Sequence, residues 1–116
     1  MRRFDLVIAA LLILPWQAQA ADKKKPDVRQ IAIEQVGEAI AIVSLCRGLT
    51  ADVPTISLTL MRAGLNVDDI FDAAGKYSAS IIPQMIESGG EDAACAAGAA
   101  WYGPRGSKVP NFLILQ

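Results

Sequence analysis

Cys46 and Cys95 are the only cysteines in the chain, and joining them would tie the middle of a small protein to its far end. Disulfides persist in oxidising compartments and are rare in the cytosol, so the address of the chain decides whether they join. The first 20 residues, MRRFDLVIAALLILPWQAQA, supply an address. Arg2 and Arg3 give a positive start, Leu6 to Leu14 form an apolar run, and Pro15 breaks it. Ala18-Gln19-Ala20 then offers the small-x-small pattern that a signal peptidase cuts after. The run is far shorter than the ~20 apolar residues that span a bilayer, and no cysteine stands at the cut to carry a lipid. Residues 1–20 are therefore expected to be a signal peptide, with the mature chain starting at Ala21. The protein is expected to be periplasmic or secreted, meeting the membrane only through the signal before cleavage. There, an even cysteine count reads as a bridge, and two cysteines allow one intramolecular pairing. Closing a loop of roughly 50 residues restricts the unfolded chain by about 4 kcal/mol. That is a large share of the ~5–15 kcal/mol by which domains are stable. The spacing is too wide for a redox C-x-x-C pair or a zinc cluster.

Without the signal, 96 residues remain, enough for one domain. Residues 21–26, ADKKKP, are expected to be a flexible lead-in, and residues 27–116 the helical domain. Lys23 to Lys25 read as a solvated terminus, with contact to anionic lipid as the alternative. From Gln30 onward there are five basic and nine acidic residues, a net charge of −4. Such a body does not suit nucleic acid, whose binding rests on neutralising phosphates.

Four helices are expected, over about 27–47, 53–63, 67–87 and 91–102. Asp27 opens the first, with Gln30 three residues on in a capping-box pattern. Val28, Ala32, Val36, Ala39, Ile40, Val43 and Cys46 recur at helical spacing, and Ile31, Ile33, Ile42 and Leu45 widen that face. A helix apolar over more than half its girth is central in a fold, or faces a partner as well as the core. Gly48 is its expected stop. Asp52 caps the second helix, with Pro54 in its first turn. Ile56, Leu60 and Ala63 line one face, yet Thr55, Ser57 and Thr59 alternate with Ile56, Leu58 and Leu60 as in a strand, so both readings stay open for 53–63. Asn66 caps the third helix, with Asp68 and Asp69 at its positive end. Pro83 inside the third helix predicts a kink or restart. Ser88 and Glu91 form a capping box for the fourth, whose alanines let a neighbour approach closely enough for a bridge. Gly103-Pro104 ends it, and Phe112 to Leu115 form a tail apolar enough to need cover. The expected architecture is all-α: a small four-helix domain with one disulfide joining the first and last helices.

Candidates for chemistry are few. The chain has no histidine, which removes the usual general base and the commonest metal ligand. No nucleophile motif or phosphate-cradling glycine loop is present. Asp68 and Asp72 share a helix face and could hold calcium weakly, but acids at a helix start have the plainer role of meeting the dipole. Glu34 and Glu38, one turn apart, could serve as acid and base, with nothing in the sequence to bury or polarise them. No catalytic residue, metal or cofactor is expected. Trp101, Tyr102 and Arg105 could form an aromatic-plus-guanidinium patch for a partner; alternatively the rings cover the core while Arg105 neutralises the helix end.

The segment CAAGAAWYGPRGSKVP, residues 95–110, resembles the C-terminal ends of small uncharacterised exported proteins of alphaproteobacteria, which carry a Cys, an alanine-rich stretch, Y-G-P-x-G and a Val-Pro close. The resemblance implies export and a two-cysteine helical body, not an activity. In size, export and one long-range bridge the chain is also similar in architecture to the HdeA-type periplasmic acid-stress chaperones. The expected function is that of a non-catalytic periplasmic binding or accessory protein, using an apolar helix surface on a protein partner or on itself. The alternatives are an acid-stress chaperone that exposes this surface as pH falls, and a small enzyme.

Overall fold

The computed structural model describes residues 27–116; the expected signal peptide and the lead-in over 21–26 lie outside the described residues. Helix α1 spans Val28–Leu45, strand β1 Leu49–Ala51, helix α2 Val53–Arg62, helix α3 Val67–Glu87, helix α4 Gly90–Tyr102 and strand β2 Leu113–Leu115. The Cys46–Cys95 disulfide is formed, with the two Cα atoms 5.1 Å apart. It joins the residue that ends α1 to the first half of α4.

Helix α1 is the centre of the molecule. Ala32, Ile33, Val36, Ala39, Ala41 and Ile42 are buried around much of its girth, with α3 packed along it and α4 and β1 against its later turns. Its wide apolar surface is thus spent on the core, and Val28 and Ile31 at its start remain exposed. Asp27 caps it by accepting from the amides of Arg29 at 3.1 Å and Gln30 at 3.2 Å. The reciprocal half of the expected capping box is absent, because Gln30 Nε2 donates to Glu34 Oε2 one turn on.

Two glycines let the neighbours come close. A Cβ on Gly37 would lie 2.6 Å from Tyr77 Cδ2 and 3.0 Å from the Ala74 carbonyl oxygen of α3. A Cβ on Gly98 would lie 2.6 Å from both Ile42 Cγ2 and Leu49 Cδ1. The missing side chains let α1 seat against α3 on one side and α4 on the other.

The segment 53–63, open between helix and strand, is helical. Asp52 accepts from the Thr55 amide at 3.1 Å, Pro54 sits in the first turn, and Thr59 Oγ1 turns back to the Thr55 carbonyl. Ile56 and Leu60 are buried, whereas Ala63, expected on the same face, ends the helix in solvent. Asn66 caps α3 through the Asp69 amide at 2.8 Å. Pro83 lies within α3 without ending it. Pro83 and Ala79 both face solvent, so water can satisfy the carbonyl that loses its amide partner.

Three expectations need correction. The domain is mostly helical but not all-α: β1 and β2 pair antiparallel, Leu49 opposite Leu115, Thr50 opposite Ile114 and Ala51 opposite Leu113. The apolar tail finds its cover this way, burying Phe112 and Leu113 and leaving Ile114 and Leu115 exposed. The first helix ends at Leu45, not at Gly48, since Cys46 is already extended and Gly48 lies in the turn into β1. Ser88 does not cap α4. It closes α3, its hydroxyl donating to the Gln84 carbonyl, and α4 starts from Gly89, at φ 135°, without a side-chain cap.

Candidate functional site

An open cavity lies where α1, α3 and α4 meet. It is a groove of about 350 Å³. Ile81, Gln84 and Met85 of α3 form one wall, and Ala93, Ala94, Ala97 and Trp101 of α4 form the other. Glu38 of α1 and Tyr77 of α3 stand on its lining as well. Alanine explains why the groove exists. The α4 side chains facing α3 stop at Cβ, so two helices held close elsewhere leave a gap between them here. Its size is at the lower end of the ~300–1,000 Å³ typical of small-molecule sites.

Glu38 is the groove's one carboxylate. It accepts a hydrogen bond from the Tyr102 hydroxyl and another from Lys108 Nζ at 2.9 Å, both on Oε1. Oε2 receives no hydrogen bond among the described residues. The Lys108 ammonium also lies 4.1 Å from the centre of the Trp101 ring, a cation–π placement. Tyr102 is fully buried, stacked on Phe112 at 6.0 Å and edge-on to Trp101 at 6.4 Å. Burial, then the bond to Glu38, hold its proton well above the ordinary tyrosine range. Tyr77 is shifted the same way, by burial and by the nearby Glu34 and Glu38 carboxylates.

The turn after α4 places Lys108. Pro104 cannot continue the helix, and Gly103 is extended. The chain folds back so that the amides of Ser107, Lys108 and Val109 donate to the carbonyls of Ala100 and Trp101 at 2.9–3.1 Å. These bonds satisfy carbonyls that a helix end leaves without partners. Gly106 passes so near the Trp101 carbonyl that a Cβ would collide with it. Asn111, at φ 69°, makes the last reversal, its amide on the Gly103 carbonyl at 2.8 Å. The distinctive Y-G-P-R-G string is therefore a helix terminator that delivers a lysine to a glutamate.

Of the residues singled out in the sequence, Trp101 is half-buried on the groove and Tyr102 lies behind it in the core. Arg105 is exposed on the turn. The cation over the two rings is Lys108, whose role the sequence did not reveal. Asp69 is engaged by Arg29 at 2.9 Å and Asp72 by Lys76 at 3.7 Å. Among the described residues no three metal-ligating side chains come together. Glu34 and Glu38 take different partners, Gln30 for one and Tyr102 with Lys108 for the other. Gly37, Glu38 and Lys108 escaped sequence reasoning as a set. The one available signal was Gly37, since a glycine inside a strong helix costs about 1 kcal/mol and calls for a packing reason.

Comparison with protein-family models, with curated proteins and with solved structures finds no match to this chain. Its class rests on its architecture: a small helical domain with one disulfide across it and a two-stranded clasp.

Proposed function

We propose that this is a non-catalytic binding or accessory protein of the periplasm or cell exterior, and that it works by holding a small apolar ligand in the groove between α3 and α4. The observation that carries this reading is the groove itself, a water-accessible cavity walled by Ile81, Met85, Ala93, Ala97 and Trp101 with a single carboxylate at its edge. The apolar surface expected to meet a partner belonged to α1; most of α1 is covered by its own neighbours, and the groove, at about 350 Å³, offers more concave apolar surface than the cleft of about 110 Å³ beside Val28 and Ile31. The Cys46–Cys95 bridge supports an oxidising compartment. The signal-like start and the likeness of residues 95–110 to small exported proteins support the same address.

The test is displacement of an apolar fluorescent dye. The native protein is expected to bind it at one saturable site. Ala97→Trp, which fills the groove from the α4 side, is expected to remove that site while leaving the helical circular-dichroism signal intact. Dye binding unchanged in Ala97→Trp would reject the groove as the site.

A further inference from the structure

The residues that line the groove are spaced along the helices, which makes it a channel rather than a round hollow. On α3, Tyr77, Ile81, Gln84 and Ser88 follow one another at steps of four, three and four, a single stripe down its last turns. On α4, Ala93, Ala97 and Trp101 form the facing stripe at steps of four. Only Ser88 and Gly89 separate the two helices, so Ser88 and Ala93 mark the turn end of the channel, and Tyr77, Trp101 and Glu38 mark the far end. At 1.5 Å per residue the α4 stripe is ~12 Å long and the α3 stripe ~16 Å. An extended chain advances ~1.2 Å per bond, so the length the two walls share holds about ten carbons. A cavity of about 350 Å³ spread over ~12–16 Å has a mean section of roughly 20–30 Å², room for a single carbon chain whose neighbours pack at ~4 Å. The channel offers no free charge. Glu38 is the one charged residue on its lining, and Lys108 already answers it at 2.9 Å while covering the Trp101 face at 4.1 Å. A charged head entering the channel would leave water without gaining a counter-ion.

We propose that the groove takes one straight, uncharged hydrocarbon chain of about ten carbons, such as a medium-chain alcohol, aldehyde or ester, laid lengthwise between Ile81 and Met85 of α3 and Ala93 and Ala97 of α4. This rests on the groove being a ligand site at all, as argued above, and adds the shape, length and charge of what it takes. A compact ring system of equal carbon number spans only part of the channel and leaves apolar wall uncovered. A chain longer than the walls leaves its extra carbons in water and gains nothing from them.

Displacement of the apolar dye by straight-chain alcohols from hexanol to dodecanol reads the length. Affinity is expected to rise about two- to four-fold per carbon while wall remains to be covered, and to level off at about ten carbons. Naphthol, with its carbons in fused rings, is expected to bind about five-fold weaker than decanol or worse. Octanoate and octylammonium are expected to bind no tighter than octanol. Ala93→Leu, which fills the turn end of the channel, is expected to bring the level-off down by about three or four carbons, the length of one helical turn, with hexanol unchanged. Naphthol binding as tightly as decanol, or an affinity that climbs unbroken to dodecanol, would overturn the single chain of limited length. Either ion binding tighter than octanol would remove the uncharged head. A level-off that stays in place in Ala93→Leu would contradict the lengthwise pose. A dye site that no alcohol displaces would overturn the chain ligand and leave the groove standing, whereas the absence of any saturable dye site would remove the groove itself.

Discussion

Tyr102 performs two tasks from one position. Its ring is packed against Phe112 in the core, and its hydroxyl fixes Glu38 at the groove. Tyr102→Phe keeps the ring contact and deletes the donor. A bond to a charged acceptor is worth about 1.5–3 kcal/mol, and the partly exposed Glu38 can recover some of it from water. Urea unfolding is expected to show a loss of about 1–2 kcal/mol. The same tyrosine sets an alkaline limit. Its folded pKa is raised, so its contribution is complete below the ordinary tyrosine value, about 10, and is lost as pH rises above it. Stability followed from pH 8 to pH 11 is expected to fall in the native protein and to fall less in Tyr102→Phe. Asp69 has the opposite sign. The hydrogen bond from Arg29 lowers its pKa, so the Arg29–Asp69 pair supports the fold above the ordinary carboxylate range and is lost as pH falls through the lowered value. Asp69→Asn is expected to be slightly less stable than the native protein at neutral pH, and the two melting temperatures to converge in acid.

At the scale of elements, two glycines in helix interiors make opposite predictions. Gly75 of α3 faces open space, with nothing near an added Cβ. Gly75→Ala is expected to stabilise by about 0.5–1 kcal/mol. At Gly37 the same helix gain is outweighed by overpacking of about 1–3 kcal/mol, since an added Cβ would meet the Tyr77 ring at 2.6 Å and the backbone carbonyl of Ala74 at 3.0 Å. Gly37→Ala is expected to unfold at lower urea than the native protein, and a gain there would contradict the close packing of α1 on α3. These glycines also show what was legible in the sequence. Caps at Asp27, Asp52 and Asn66 are local chemistry and located three helix starts. Helical spacing marked the face of the first helix and, beside a strand-like alternation, that of the second, whereas the fourth was marked by its alanines and the Gly103-Pro104 stop. The strands were not legible, because three residues are too few to show a period and the partner of Leu49–Ala51 lies more than sixty positions away. The alternation at 55–60 suited a strand, but Asp52, Pro54 and the burial of Ile56 and Leu60 one turn apart favoured the helix. The site was hidden for the same reason as the strands. Its key pair, Glu38 and Lys108, is brought together only by the fold: the one-turn spacing that marked Glu38 paired it with Glu34, and no local pattern marks Lys108.

At the scale of the whole molecule, the disulfide and the groove are linked through α4. The bridge fixes Cys95 against the end of α1, and Ala93, Ala94 and Ala97 around it form one groove wall. Reduction is expected to cost about 4 kcal/mol in the chain-entropy account, read as the difference in urea unfolding between oxidised and reduced protein. It is expected to loosen the α4 wall first. Acid offers a second view of the whole. A chaperone working at low pH would release the apolar face of α1 and bind more dye with its helices intact between pH 7 and pH 2, whereas a ligand-binding domain keeps one dye site until it unfolds.

The most direct test of the groove as the working surface is residue-resolved: amide chemical shifts of the protein, recorded as hexanol, a small apolar probe, is added. The shifts are expected to move together, saturably, at Tyr77, Ile81, Met85, Ala93, Ala97 and Trp101. Movement centred instead on Val28, Ile31, Leu60 and Ala63, which line a smaller cleft of about 110 Å³ between α1 and α2, would contradict the account, as would shifts scattered without saturation over the surface.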